Sequence, residues 1–244
     1  MVYDNKHRML LQVFVQEGVI DENEVKNLVI KLFVTEVINL INRQLQILNM
    51  AIKQAQCEIT GQNYWILVST IMNEVTSSII SCRFQDEFSK PQLALLRHII
   101  SEIISSDDGC IQSTMCLNFC SSSDMKISKS DAEEFLNDIV ARKWLVYKRG
   151  CYYMGVRSIT ELMPYFQATY GNTLNTCSLC RQVIFFGEKC CHCDSIIHLY
   201  CLKKFTTIHN SLKCPSCNNI VSTANLSDIS DVSTQRNKNM KEGI

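Results

Sequence analysis

The sequence predicts a mainly α-helical chain with small β-hairpins, arranged as two tandem winged-helix domains followed by a C-terminal zinc module. Three observations predict this architecture. Apolar residues recur at helical spacing through most of the first 170 residues, a strand–turn–strand pattern follows the helices twice, and pairs of metal-binding residues concentrate between residues 177 and 217. The predicted domains are 1–87 and 88–170 (winged helices), 171–221 (zinc module) and 222–244 (a disordered tail).

The composition is typical of a globular protein with a sizeable core. The chain has 244 residues, of which 46% are hydrophobic and 20% charged, and its formal net charge is zero. A neutral chain has no overall attraction to polyanions. The first residues resemble an amphipathic helix more than a signal peptide, and the apolar runs are too short to span a bilayer. We therefore expect a soluble intracellular protein without a membrane partner.

The first predicted domain begins with three helices. A helix over 7–17 ends at Gly18, Asp21 caps a second helix, and a third is predicted over about 36–55. The stretch CEITGQNYWILVS then predicts a hairpin that turns around residues 60–63. Four apolar residues of the first two helices are interpreted as core, with a partner surface as the alternative: Leu10, Phe14, Leu28 and Leu32.

The second predicted domain repeats this order. Ser89 caps a helix that ends near 107–109, a short helical segment covers about 113–120, and Ser130 with Glu133 is predicted to open the next helix as a capping box. The stretch WLVYKRGCYYMG predicts a second hairpin. A linking helix over about 158–169 leads to the cysteine-rich segment.

The second hairpin carries a basic and aromatic sequence, ARKWLVYKRGCYYMGVR, without an acidic residue. A wing of this kind could contact DNA phosphates, with Lys148 and Arg149 as the candidate residues. The alternative, which we favour, is a solvated hairpin whose aromatic residues pack inward. DNA therefore enters as a further candidate partner.

The cysteine-rich segment contains four ligand pairs, which are enough for two tetrahedral zinc ions. The order is Cys177-x2-Cys180-x9-Cys190-x2-Cys193-x4-His198-x2-Cys201-x12-Cys214-x2-Cys217. A C-x-x-C turn lets both thiolates bind one ion at about 2.3 Å. Spacing leaves open whether the pairs combine sequentially or alternately. Analogy with known eight-ligand domains favours alternation, with Cys177, Cys180, His198 and Cys201 on one zinc, and Cys190, Cys193, Cys214 and Cys217 on the other.

These motifs resemble a known family. The C4HC3 order, with HLYC at 198–201 and CPSCN at 214–218, is similar to the variant RING of the RING-bearing non-SMC element subunit of the SMC five–six genome-maintenance complex. The stretches HRMLLQVFVQEGVI, LALLRHIISEIISSDDG and AEEFLNDIVARKWLVYKRG resemble the winged-helix segments of that family. The resemblance covers the chain up to about residue 221.

The resemblance implies a RING-type E3 ubiquitin ligase subunit that acts in DNA repair in the nucleus, with a cytoplasmic pool as an alternative. Its implied partners are a MAGE-domain subunit, a kleisin subunit and a ubiquitin-conjugating enzyme. Such a module performs no covalent catalysis and works by positioning. RING analogy makes Leu179 and Pro215 the candidate contacts to the conjugating enzyme. Many active RINGs have a basic residue where this chain has Asn218, which implies weak activity that a partner stimulates.

Two alternatives remain open at this point. The ligand order also fits a PHD finger, but these domains usually have a tryptophan where this chain has Leu212, and no aromatic cage is evident. The second alternative is a zinc-stabilised scaffold or a DNA- or chromatin-binding subunit without enzymatic activity.

Overall fold

The computed structural model describes residues 3–29, 33–70, 88–120, 127–209 and 213–221. It divides into two compact units. The N-terminal unit contains the chain up to Cys57 and from Gln62 to Gly171, and the C-terminal unit contains the segment Glu58–Gly61 together with the chain from Asn172 onward. The predicted tail, 222–244, lies outside the described residues. The boundaries of the four predicted domains stay a prediction.

The first half of the N-terminal unit is a helix–sheet module. Its strands form an antiparallel sheet in the order β1-β3-β2. The elements are α1 (Asn5–Glu17), β1 (Val19–Asp21), α2 (Glu22–Leu28), α3 (Val34–Leu45), a 3-10 turn (Gln46–Leu48), β2 (Met50–Gln56) and β3 (Asn63–Ser69).

In the first module, residues at both ends of α1 define the limits of the helix, and apolar side chains form a buried core. Asp4 caps α1 by accepting hydrogen bonds from the backbone N–H groups of Lys6 and His7, and Gly18 ends the helix with φ 70°. Leu10 and Phe14 face inward and join a buried cluster. Its other buried members are Ile20, Val25, Val34, Val37, Ile38, Ile41, Leu45, Ile52 and Trp65.

The second half of the unit repeats the order of elements, with an antiparallel sheet in the order β4-β6-β5. Ser89 and Gln92 form a capping box at the start of the long helix. Arg149 (φ 50°) and Gly150 (φ 81°) form the two-residue turn of the hairpin. The elements are α4 (Lys90–Ser105), β4 (Cys110–Gln112), α5 (Ser113–Phe119), α6 (Lys129–Ala141), β5 (Leu145–Lys148), β6 (Cys151–Met154) and α7 (Val156–Tyr170).

Helix α7 follows the second hairpin and lies against β2 and β3 of the first module. Near its start the guanidinium carbon of Arg157 lies 4.2 Å from the ring centroid of Trp144. The Nε atom of Arg157 also donates a 2.7 Å hydrogen bond to Glu161, and the Ser158 hydroxyl donates one of 2.6 Å to the Trp144 carbonyl. The two contacts with Trp144 connect α7 to the residue immediately before β5.

The described residues of the C-terminal unit form little regular structure. After a 3-10 turn (Gly171–Thr173), which begins at the end of the N-terminal unit, the C-terminal unit contains the short hairpin β7 (Glu188–Lys189) and β8 (Ile196–Ile197) and the helix α8 (Leu199–His209). Its apolar core is correspondingly small.

The structure confirms a mainly helical fold with small antiparallel sheets and a C-terminal metal-binding module. The order helix, strand, helix, helix, hairpin occurs twice in the described residues. The finer assignment of each module as a winged helix stays a prediction. Among the described residues, no helix has the length and apolarity needed to cross a membrane.

Three local predictions are corrected. The helix predicted over 36–55 ends at Leu45, because Asn49 turns the chain with φ 52° and Ile52 lies in β2. The capping box at Ser130 is wrong, because Ser128 caps α6 by accepting from the backbone N–H of Asp131. Leu28 is 54% exposed and is not part of the core, while Leu10 and Phe14 are. Leu32 lies outside the described residues.

Candidate metal centres

Three turns in the C-terminal unit share one backbone conformation. In each C-x-x-C turn the backbone N–H of the first cysteine donates to the carbonyl five residues later, at 2.7–2.9 Å. The residue that follows the second cysteine is left-handed in each turn: Arg181 (φ 63°), Asp194 (φ 55°) and Asn218 (φ 63°). This conformation brings the two sulfurs of a pair to the same side of the turn.

The third ligand pair along the sequence, His198 and Cys201, lies at the start of a helix. His198 precedes α8 and Cys201 lies in its first turn, so the three-residue spacing places both side chains on one face. The backbone N–H of His198 lies 3.4 Å from the Cys177 sulfur. The third pair therefore lies beside the first pair in space, although the second pair separates them in sequence.

The first cluster contains Cys177, Cys180, His198 and Cys201, whose candidate ligand atoms all lie within 4.8 Å of one another. The Nδ1 atom of His198 is 3.3 Å from the Cys180 sulfur and 3.9 Å from the Cys201 sulfur. Ligand atoms around a tetrahedral zinc ion with bonds of 2.0–2.3 Å lie about 3.5–3.8 Å apart. The spacing in this cluster matches that requirement.

The second cluster contains Cys190, Cys193, Cys214 and Cys217. The Sγ–Sγ distance is 3.6 Å between Cys190 and Cys217 and 3.7 Å between Cys193 and Cys214. A four-sulfur tetrahedron around zinc requires about 3.8 Å. The two clusters combine pairs one and three, and pairs two and four, which is the predicted alternation.

Hydrogen bonds lower the pKa of one cysteine in each cluster. Burial raises the pKa of Cys177, but backbone N–H groups of Cys180, His198 and Leu179 outweigh burial and bring the pKa down to about 7. The pKa of Cys214 is also raised by burial, and hydrogen bonds from Ser195, Cys217 and Ser216 lower it to about 6. Thiolate is the form that binds metal.

Burial and the neighbouring sulfurs raise the pKa of Cys201. Burial is the larger cause, and the charges of Cys177 and Cys180 raise the pKa further. A divalent cation between the four atoms would offset this repulsion, since a thiol that coordinates zinc is deprotonated. Two closed sets of sulfur and imidazole ligands fit zinc, and the two clusters confirm the prediction of two zinc ions in a RING-like module.

Two residues next to the clusters were missed by sequence reasoning. The Ser195 hydroxyl lies 3.1 Å from the Cys193 sulfur and 3.3 Å from the Cys214 sulfur. Glu58 lies 3.1 Å from Nε2 of His198. Burial lowers the pKa of His198, but the hydrogen bond and charge of Glu58 contribute to a net increase. Ser195 follows the second pair closely, whereas no sequence signal connects Glu58 with the cysteines.

The remaining predicted residues have different surroundings. Leu179 is half-buried and packs against the small core of the C-terminal unit, and Pro215 is half-buried in the last turn. Cys191 is exposed and belongs to neither cluster. In the N-terminal unit, Lys148 ends β5 and Arg149 lies in the exposed turn that follows.

Comparison with known proteins agrees with both units. The family described as "Nse1 non-SMC component of SMC5-6 complex" matches residues 7–162, and the family "RING-like domain" matches residues 177–217. Proteins named "Non-structural maintenance of chromosomes element 1 homolog" are similar to the chain in Bos taurus (31% identity) and Homo sapiens (30% identity). Each alignment covers 89% of this chain and 84% of the relative.

A solved structure is also similar. A chain of a structure titled "Nse1-Nse3-Nse4 complex" matches with a TM-score of 0.75 and 26% identity, over 91% of this chain and 97% of that chain. Family, relatives and fold therefore agree along most of the sequence. The chain belongs to the family of the Nse1 non-SMC component of the SMC5-6 complex and carries a RING-like domain at its C-terminal end.

Proposed function

We propose that each cluster holds one zinc ion. The first set of ligands is Cys177, Cys180, His198 and Cys201, and the second is Cys190, Cys193, Cys214 and Cys217. The fit of the interatomic distances to a tetrahedral site supports this assignment. The role of the ions is structural, because both sets are closed and the unit has only a small apolar core.

A matched pair of variants tests the ligand assignment. Cys191→Ser changes an exposed cysteine that lies between two ligands of the same turn, so the protein should keep two zinc ions per chain. Cys193→Ser removes a proposed ligand and should reduce zinc content to about one ion per chain. Metal analysis of the purified full chain measures both. Equal losses in the two variants would contradict the assignment.

We propose further that the chain is a RING-type E3 ubiquitin ligase subunit of the SMC5-6 complex. The observation that carries this proposal is the alternating arrangement of two four-ligand clusters in a RING-like domain. The module would bind a ubiquitin-loaded conjugating enzyme and position its thioester for attack by a substrate lysine. Leu179 and Pro215, which lie beside the first and last cysteine pairs, are the proposed contacts with that enzyme.

The proposed partners follow from the structural relative, whose title places a protein of this fold with Nse3 and Nse4. We propose that the chain binds a MAGE-domain subunit and a kleisin subunit, and that the assembly acts in DNA repair in the nucleus. Asn218 has the left-handed conformation that asparagine tolerates better than most residues. Because Asn218 lacks a positive charge for a contact with ubiquitin, ligase activity should be weak until the MAGE-domain partner is bound.

A reconstituted reaction tests the ligase proposal. The full chain, zinc-loaded and bound to its MAGE-domain partner, should form ubiquitin conjugates with at least one enzyme from a panel of conjugating enzymes. The double variant Cys190→Ser/Cys193→Ser should be inactive, and Cys191→Ser should retain wild-type activity. If the wild-type pair forms no conjugates with any enzyme in the panel, the module is structural.

The second candidate function is a non-enzymatic scaffold or DNA-binding subunit. The missing basic residue at position 218 and the basic turn at Lys148 and Arg149 favour it. Lys148→Glu/Arg149→Glu should weaken binding to duplex DNA at low salt and reduce its salt dependence if the turn contacts phosphates. Unchanged affinity would exclude this turn as a DNA contact.

A further inference from the structure

Glu58 is a buried carboxylate in an unusual place. It begins the four-residue segment Glu58–Gly61, which lies within the connection between β2 and β3 and belongs to the C-terminal unit. Its relative exposure is 3%. Burying a carboxylate is costly unless hydrogen bonds replace its water. The contacts of Glu58 must therefore be strong enough to offset that cost.

Three donors surround this carboxylate. The backbone N–H of Phe186 donates at 2.8 Å, and that of Phe185 lies 3.2 Å from both oxygens. The third is Nε2 of His198, which is 3.1 Å away, 140 residues later in the sequence and 2% exposed. Both oxygens of Glu58 act as acceptors, and one of the donors is a proposed zinc ligand.

The two nitrogens of the His198 ring face different groups. Nδ1 faces the sulfurs of Cys180 and Cys201, while Nε2 faces Glu58. Tyr200 stacks on the ring with centroids 4.7 Å apart and an interplanar angle of 15°. Stacking fixes the plane of the ring but does not distinguish its nitrogens. The carboxylate does, because it requires a proton on Nε2 and so leaves the lone pair on Nδ1.

We propose that Glu58 is a positioning residue for the first zinc cluster. It holds His198 in the tautomer and orientation in which Nδ1 faces the three sulfurs, and it makes the ring a better ligand by accepting its Nε2 proton. This inference rests on the proposed zinc-binding role of Cys177, Cys180, His198 and Cys201. It adds a residue outside the RING-like match at 177–217.

Glu58→Gln keeps the size of the side chain but removes its charge and one of its two acceptor oxygens. An amide has one acceptor oxygen and one NH2 donor, whereas the carboxylate accepts with both oxygens. In Glu58→Gln the NH2 group must therefore face either the Phe186 N–H or the Nε2 proton of His198. Loss of such a partner typically weakens metal binding about 10–100-fold.

The experiment compares the zinc-loaded full chain with Glu58→Gln and Glu58→Ala, using Glu36→Gln as a control at an exposed carboxylate. Zinc release to a chromogenic chelator is followed in time. We expect one of the two ions to leave about 10–100-fold faster in both Glu58 variants, while the second ion leaves at the wild-type rate. Glu36→Gln should match the wild type.

Cobalt substitution shows whether a Glu58 variant changes the first metal site alone, as a positioning role predicts, or destabilises the whole unit. The visible bands of a three-sulfur, one-imidazole site differ from those of a four-sulfur site, so the clusters can be followed separately. Only the bands of the first site should shift in Glu58→Gln. Wild-type release rates and unchanged bands in both Glu58 variants would overturn the proposal, and so would equal destabilisation of both sites.

A His198→Ala variant separates this inference from the ligand assignment. If His198→Ala retains two tightly held ions, the ligand assignment itself is wrong. If His198→Ala loses one ion while Glu58→Gln behaves as wild type, the ligand assignment stands and the positioning role of Glu58 is rejected.

Discussion

The two units of this chain are stabilised by different interactions. Among the described residues, the core of the first helix–sheet module consists of aliphatic and aromatic side chains and contains no cysteine. In the C-terminal unit, three of the seven described core residues are cysteines: Cys177, Cys190 and Cys214. The first core stabilises its unit by removing apolar surface from water, whereas the second is built around sulfur and needs metal. One chain therefore depends on the hydrophobic effect in one unit and on coordination in the other.

Removal of zinc should give the largest difference between the units. Structural zinc contributes about 10–16 kcal/mol to small zinc-binding peptides at neutral pH, so a strong chelator should unfold the C-terminal unit. Hydrogen exchange should show loss of protection in α8 and the three C-x-x-C turns, together with residues 58–61, while α3 and α4 stay protected. Equal loss of protection in both units would contradict the comparison.

A cavity in the apolar core of the first module should destabilise the N-terminal unit and leave zinc binding unchanged. Phe14 is fully buried, and Phe14→Ala should lower the free energy of unfolding of the N-terminal unit by about 3–5 kcal/mol. Zinc content should stay at two ions per chain. Val15→Ala, at a neighbouring residue that is 66% exposed, serves as the control in denaturant titration and should change stability little.

The same substitution, glycine to alanine, can be made at one crowded position in each unit. A methyl group on Gly155 would lie 2.2 Å from the Lys143 carbonyl oxygen, and one on Gly187 would lie 2.4 Å from the Ile197 carbonyl oxygen. Gly155→Ala should lower the stability of the N-terminal unit by about 1–3 kcal/mol, without a change in zinc release. Gly187→Ala should accelerate zinc release.

Gly150→Ala is the matched control for these variants. Among the described residues, and apart from the two chain neighbours, no atom lies within 4 Å of the added methyl group. Only the φ of 81° therefore opposes the substitution. Its cost should be roughly 1 kcal/mol, less than that of Gly155→Ala in thermal unfolding. If Gly150→Ala is the more damaging change, backbone crowding at Gly155 is not the controlling factor.

The smallest expected effect is the pH dependence of α1. The hydrogen bond with His7 lowers the pKa of Asp4 below 3.8, outweighing the effect of burial. A lowered carboxyl pKa adds stability above the unfolded value of 3.8, and that stability is lost as pH falls through the lower folded value. Asp4→Asn keeps a helix cap but removes the charge. The difference in melting temperature between wild type and variant should shrink as pH falls below 4. A difference that grows as pH falls from 4 to 2 would contradict the assigned sign.

The elements that could be predicted from sequence have strong local signals. Ser89 and Asp21 cap helices as expected, and the hairpin turn at Arg149–Gly150 lies where its sequence indicates. The alternating ligand clusters also follow the prediction, although spacing alone left a sequential arrangement open.

The wrong or missed predictions concern residues whose structure depends on tertiary contacts. The three-residue strands β1 and β4 are too short to show an alternating pattern, and they depend on pairing with β3 and β6. Apolar residues recur at helical spacing from Ile38 to Ile52, past the end of α3, and this spacing is the basis of the helix predicted over 36–55. However, the Asn42 side chain hydrogen-bonds the backbone of Ile52 in the neighbouring strand. Glu58 is the extreme case, because its partners lie more than 120 residues away.

The division of the C-terminal unit into two separate stretches of sequence has a consequence for biosynthesis. During translation Glu58 leaves the ribosome long before Phe185, Phe186 and His198 exist, so its carboxylate stays hydrated until the last part of the chain appears. The unit can mature only after Cys217 has been synthesised. A message that ends prematurely, before His198, would give a product in which this carboxylate lacks one of its three hydrogen-bond partners. Zinc can therefore lock the Glu58 segment in place only after most of the chain has been synthesised.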